Sequence, residues 1–411
     1  FSFMLLHQVD KLLIGPLTTP IMDTFGINEA QMGAVFTGAL IVGAFMYPIW
    51  GILYDRFARA KLLALASLLW GLTTWLSAIV PNYPSFLATR ASTGIDDASY
   101  PGLYSLISDY FGPKMRGRIY GLLQTAMPLG YLLGMFLGLF LGEAVGWRGV
   151  FIITGSLGLV LSVLIYRVVR EPPRGKSEPE LADLEQLGTY RFEWATAKGL
   201  FRKRTLRLLF IQGFFGVFPW NVITYWFFSY LETERDYASE EIMATMVVAV
   251  LAMTCGYLTG GTIGDFLFRH TPRGRLIVST VAVLLGALLM VVTLNLPLAD
   301  RGLFMITLAA AAFFMPIPAP NMISTIYDVT LPEVRSTASA IQYFIESAGA
   351  ALAPLIAGLI AVNYSLQTAI LVISTSTWLI CAAFFALTAF VIPDDIATLR
   401  RQLRERAAQE V

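Results

Sequence analysis

The stretch DYFGPKMR at residues 109–116 returns as DVTLPEVR at residues 328–335, with Asp, Pro and Arg at the same internal spacing and an offset of 219 residues. The same offset pairs Pro101 with Pro320 and Gly130 with Gly349. A second echo joins GILYD (51–55) to GTIGD (261–265). A period of half a chain is the mark of two structural repeats in one polypeptide. What surrounds each echo decides what the repeats are made of.

Both echoes lie at the ends of long apolar runs. The 411 residues have a mean hydropathy of +0.66, with 56% apolar and only 14% charged residues. A soluble chain carries about 25% charged residues. Crossing about 30 Å of hydrocarbon takes roughly 20 apolar residues in a helix. Runs of that kind fall near 3–22, 30–53, 61–80, 84–109, 117–141 and 148–168, and after a polar break near 206–231, 241–264, 275–296, 302–327, 336–362 and 366–391. The reading is an all-α membrane protein of twelve transmembrane helices in two six-helix bundles. The expected division is a bundle over 1–169, a linker over 170–204, a bundle over 205–393 and a tail over 394–411.

The basic residues give the orientation. Of 29 Lys and Arg, 24 fall in the even-numbered connections, the central linker and the tail. Arg148, Arg235 and Arg301 fall on the other side, and Lys11 and Arg90 within spans. Positive residues collect on the cytoplasmic face. Both termini and the linker are therefore expected in the cytoplasm, and the membrane is expected to be a bacterial or archaeal inner (plasma) membrane. The linker is either a short helix on the membrane surface or a solvated connection, and the tail reads as an exposed helix. A net charge of +1 points to no nucleic-acid partner. The chain opens at Phe1 inside an apolar segment, so further residues are expected before it, and no cleavable signal is read.

GILYDRFARAK (51–61) resembles the loop signature of the major facilitator superfamily between its second and third helices, with Ala58 where a glycine is usual. Arg90, then GIDDASYPGLYSLISDYF (94–111), RGR and GWRGVF (146–151) extend the match over essentially the whole chain. VDKLLIGPLTTPI (9–21) and GIDDASY are similar to the Spinster branch, where a midplane acid precedes a basic residue; Asp97 takes the branch's acidic position and Asp96 replaces a glycine. That resemblance implies a monomer without cofactor or metal, moving lysophospholipids or sphingolipids with protons by alternating access. Pro101-Gly102 also resembles symporters of small organic anions.

Ionisable residues inside a membrane cost about 2.5 kcal/mol or more and are functional candidates. Asp10 and Asp97 lie at similar depth and are expected to bind a proton, with Arg90 tuning one of them from the same helical face. Asp96 should turn towards another helix. His7 reads as a satisfied structural residue, and Lys11 snorkels or pairs with an acid. Arg90, Glu346, Trp220, Asn221 and Tyr225 are the expected substrate contacts, Glu346 also being a possible partner for Lys11. Gly51, Asp55, Arg56, Arg59, Asp109, Arg116, Asp265, Asp328 and Arg335 are expected to form the cytoplasmic gate. Asp55 sits at its own helix C-terminus, unfavourable for an anion, and should be held by an arginine such as Arg56, Arg59, Arg116 or Arg118.

No HExxH or GxSxG occurs, so the common hydrolase motifs are missing and an enzyme is not expected. A secondary transporter is the main reading. A lipid-like substrate leads, a small organic anion is the alternative, and a sensor on a transporter scaffold is the alternative of another class.

Overall fold

The computed structural model describes residues 1–181 and 192–410. Helices α1 (Ser2–Leu13) and α2 (Thr18–Phe25) share the first expected span; α3 (Glu29–Arg56) and α4 (Arg59–Ile79) are the second and third. The fourth is divided into α5 (Tyr83–Ser92), α6 (Gly94–Asp97) and α7 (Tyr100–Ser108). Next come α8 (Arg116–Gln124) and α9 (Ala126–Val168), then α10 (Trp194–Gly199) in the central connection. The second half holds α11 (Arg204–Thr233), α12 (Ser239–Phe268), α13 (Gly274–Leu294), α14 (Arg301–Phe314), α15 (Pro318–Asp328), α16 (Arg335–Asn363) and α17 (Leu366–Glu410).

Ten helical stretches among the described residues are long and apolar enough to cross a membrane. The two expected spans missing from that set are the first and the fourth, because both are interrupted. Pro16 lacks an N–H and follows Gly15 at the break between α1 and α2. Pro101 cannot bond back to the carbonyl of Asp97, and α6 ends at Asp97. In the second half, Pro316 and Pro318 separate α14 from α15. Irregular backbone at membrane depth survives where it lines a protein cavity, and the acids of the site lie at these breaks. Inside α9 the chain turns at Gly146, whose φ of 68° is left-handed backbone that suits glycine. That turn separates the fifth and sixth expected spans.

Phe45, Phe140, Leu359 and Phe390 are each about 70% exposed on outward helix faces. An apolar belt of this extent belongs against hydrocarbon rather than water. The tail departs from the expected solvated helix. α17 continues through Pro393 to Glu410, and Leu399 and Leu403 are fully buried with Leu181. The part of the expected linker helix at 182–191 lies outside the described residues.

Candidate functional site

At the arginine-rich end the two halves are locked together. The carboxylate of Asp55, at the end of α3, accepts the backbone N–H groups of Ser336 (3.0 Å) and Thr337 (2.6 Å) at the start of α16. Asp265, at the end of α12, accepts those of Gly117 (3.0 Å) and Arg118 (2.7 Å) at the start of α8. Each half thus places an anion on a helix N-terminus of the other, where free N–H groups and the helix dipole favour it. This corrects the expectation that an arginine holds Asp55; Arg174 stands at 3.9 Å, and two backbone donors do most of the holding. The helices must touch for this to happen. A Cβ on Gly51 would lie 2.5 Å from that of Ala340, and one on Gly261 would lie 2.0 Å from the carbonyl oxygen of Gly117.

The repeated Asp and Arg form a second layer. Arg59 donates to Asp109 (2.5 Å), and Arg275 to Asp328 and Asp265 within the other half. Across the halves, Arg116 lies 3.5 Å from Asp328 and Arg335 lies 3.5 Å from Asp109. Both Arg116 and Arg335 also donate to one buried linker carboxylate, Glu178. Burial alone would raise the Glu178 carboxyl, but the two guanidiniums outweigh it and hold it at about 2. Arg174, crowded by burial and by Arg59, is lowered. Glu178 was invisible in the sequence because the polar linker shows no pattern that tells a buried acid from a solvated one. Arg56 is not part of this gate. It is exposed and lies over the rings of Phe192 (5.2 Å) and Trp194 (5.7 Å).

Above the gate lies a central cavity of about 450 Å³, reached by residues of both halves, including Gln8, Tyr100, Gln124, Gln212, Trp220 and Glu346. Tyr47 of α3 and Tyr343 of α16 stack across the halves at 5.2 Å and line it. A second cavity of about 700 Å³ lies away from the arginine-rich end, among Phe36, Arg90, Thr93, Tyr131, Tyr225 and Phe228. Lys11, Leu12 and Asp97 line both. The Lys11 ammonium is 2.9 Å from Asp97 Oδ2, so an ion pair stands where the two cavities meet.

Several expected positions change. Asp10 turns away from both cavities: it is buried, and Oδ2 accepts the Thr74 hydroxyl at 2.9 Å. Helical rise gave an expected depth for Asp10 but not its face. Arg90 makes no ion pair with Asp97 among the described residues. It is 5% exposed, lies over Phe151 at 5.1 Å, and its Nη1 has no hydrogen-bond partner there. Glu346 accepts from Gln342 (2.7 Å), while Lys11 takes Asp97 instead. Trp220 lines the central cavity and Tyr225 the outer one; Asn221 lines neither and donates back to Val217 O at 2.8 Å.

His7, expected to be a satisfied structural residue, is buried with a partner at both ring nitrogens. It lies on α1 with its Nε2 2.7 Å from Asp96 Oδ2 and 3.5 Å from Asp97 Oδ1, and its Nδ1 2.5 Å from the Tyr100 hydroxyl. Two acids in succession at the break of a span were the available signal.

A family model described as Major Facilitator Superfamily matches residues 1–299. The chain belongs to that superfamily. It is therefore an integral, multi-pass membrane transporter rather than an enzyme. Among relatives, "Protein spinster" of Drosophila melanogaster is 28% identical over 379 residues, covering 87% of this chain; the chain spans 60% of that protein's length. The hexuronate transporter of Bacillus subtilis is 22% identical over 369 residues, 86% of this chain and 85% of that one. A crystal structure of a bacterial homologue of the human lysosomal transporter Spinster, inward-facing and unoccupied, superposes with a TM-score of 0.62 at 18% identity over 96% of both chains. Both the superfamily and the likeness to the Spinster branch agree with the sequence motifs.

Proposed function

We propose that this transporter works by alternating access, couples to protons, and moves an amphipathic substrate with an anionic headgroup, of which a lysophospholipid is the type. One observation carries the reading. Arg90 is a buried guanidinium with an unused donor, in the wall of a cavity otherwise made largely of apolar and aromatic side chains. A buried cation with no carboxylate in contact favours an anion beside it. The surrounding Phe36, Leu40, Tyr131, Tyr225 and Phe228 suit an acyl chain. The likeness to the fly protein spinster supports this reading.

The cycle follows from the pair at the junction of the cavities. While Asp97 is ionised, Lys11 is held by it. A proton on Asp97 releases Lys11, which then joins Arg90 in attracting an anion. The contacts of Asp55 and Asp265 close the arginine-rich side, which fits a state with access from the opposite side. The basic side is proposed to be cytoplasmic, with both chain termini there, and the working unit to be a monomer in an inner or plasma membrane.

A second reading is a small, hydroxyl-rich organic anion. The glutamines Gln8, Gln124 and Gln212 in the central cavity favour it, as does the likeness to a hexuronate transporter. Uptake competition in proteoliposomes separates the two, with lysophosphatidylglycerol against glucuronate. Competition by glucuronate alone would refute the amphipathic reading. Loss of neither uptake in Arg90→Gln would remove Arg90 from the site.

A further inference from the structure

We infer that His7 and Asp96 form a proton-binding site of their own, which passes a proton between the central cavity and Asp97. The inference rests on the proton-coupled reading above and gives that proton a seat the resemblance does not supply. The imidazole is fixed at both nitrogens, by Asp96 at 2.7 Å and by Tyr100 Oη at 2.5 Å. Tyr100 lines the central cavity and also accepts from Gln8 Nε2 at 2.8 Å. Asp96 is fully buried, and its Oδ1 has no hydrogen-bond partner among the described residues.

Two protonation states fit one geometry. In the loaded state His7 is an imidazolium, donating from Nε2 to Asp96 and from Nδ1 to Tyr100 Oη. In the unloaded state Nε2–H still donates to Asp96, while the Tyr100 hydroxyl turns and donates to Nδ1. Rotation of one O–H is the only rearrangement, so the proton enters or leaves through Tyr100 without breaking the Asp96 contact. Transfer onward is balanced: the imidazolium gives its Nε2 proton to Asp97 across the 3.5 Å to Oδ1, which leaves protonated Asp97 and neutral His7 as the Nδ1–H tautomer, still donating to Tyr100 Oη and giving up its donation to Asp96 in this step. Lys11 then loses its counter-ion.

The surroundings leave few other sources of charge. On α1 the ring is neighboured by Lys11, and by Asp10, which faces Thr74 of α4; α6 presents Asp96 and Asp97, and α7 presents Tyr100. From α4 the ring meets Trp70 edge-on at 5.4 Å, and within α1 it stacks on Phe3 at 5.8 Å. Arg90 of α5 and Tyr47 of α3 interact electrostatically with Asp97. His7, Asp96 and Asp97 could together hold a metal ion by position, but Lys11 already supplies the cation at Asp97. Two carboxylates beside one imidazole and one ammonium are neutral only when the imidazole carries its second proton, the usual resolution of buried charge.

The chain has two histidines, so His270→Gln protein with 15N-labelled histidine reports His7 alone by solid-state NMR in liposomes. A doubly protonated ring at neutral pH that becomes neutral in Asp96→Asn is the expected result. A ring that is neutral in both, or unchanged by Asp96→Asn, overturns the site. In parallel, proton-driven accumulation of lysophosphatidylglycerol is measured for His7→Gln, Asp96→Asn and Asp97→Asn. At least tenfold loss in all three, with exchange retained, is expected. Loss in Asp97→Asn only would overturn the relay and leave the coupled reading standing. Absence of accumulation in the unmodified protein would overturn the reading itself, while the NMR result still decides the site.

Discussion

Glu178→Gln is the most informative perturbation of the gate. The carboxylate is 1% exposed and bridges Arg116 of the first half to Arg335 of the second. Its ionisation lies at about 2, against an ordinary value of 4.5. One unit is about 1.4 kcal/mol, so the ionised form favours the closed gate by roughly 3 kcal/mol over one in which Glu178 is free in water. That is about a hundredfold in the closed-to-open ratio. The sign follows from the lowered value. The stabilisation is complete above about 4.5 and is lost as the pH falls through about 2. Arg116 and Arg335 retain Asp328 and Asp109 at 3.5 Å, so the variant should fold while the gate loosens. Spin labels on Lys61→Cys and Arg273→Cys, with both native cysteines replaced by serine, report the separation of the halves at the arginine-rich end. The unmodified protein should show one short distance at pH 7 and a growing longer one below pH 4. Glu178→Gln should show the longer distance already at pH 7. Identical distributions for both proteins at every pH would refute the latch.

Other consequences concern the rest of the gate and the pair. Asp55→Asn and Asp265→Asn each weaken a charged cap worth about 1 kcal/mol, and together they should open the gate further in the same distance measurement than either alone. Gly51→Val should prevent closure outright, since even its Cβ meets Ala340 at 2.5 Å; thiol labelling of Thr337→Cys would then become fast, and slow labelling would count against it. Asp97→Asn should abolish gradient-driven accumulation in proteoliposomes yet keep exchange, and normal accumulation would dissociate Asp97 from coupling. A membrane-permeant maleimide should modify exposed Cys255 and spare buried Cys381 in detergent-solubilised folded protein; equal rates would contradict the packing around α17.

The charges and periodicities of the chain were enough to expect most of the residues that cluster at the arginine-rich end. The reason is that DYFGPKMR and DVTLPEVR carry their function in local spacing, and a duplicated bundle puts equivalent residues at equivalent depth. Arg59, Asp109, Arg116, Asp328 and Arg335 therefore meet as expected. Arg56 does not, because one residue along a helix turns a side chain by about 100°, here towards Phe192 and Trp194.

Depth and face are different quantities, and the interior charges show it. Hydropathy and helical rise alone gave Asp10, Arg90 and Asp97 an expected depth, since both are properties of a single helix. Which partner each finds depends on breaks at Pro16 and Pro101 and on the helix packed opposite, and no local pattern encodes that. So Asp10 went to Thr74, Arg90 to Phe151, and Asp97 to Lys11, while His7 was brought to Asp96 from 89 residues away. The fold was legible because apolar length and charge bias are one-dimensional; the chemistry waited on three-dimensional contact between segments whose side chains carry no mark of their neighbours.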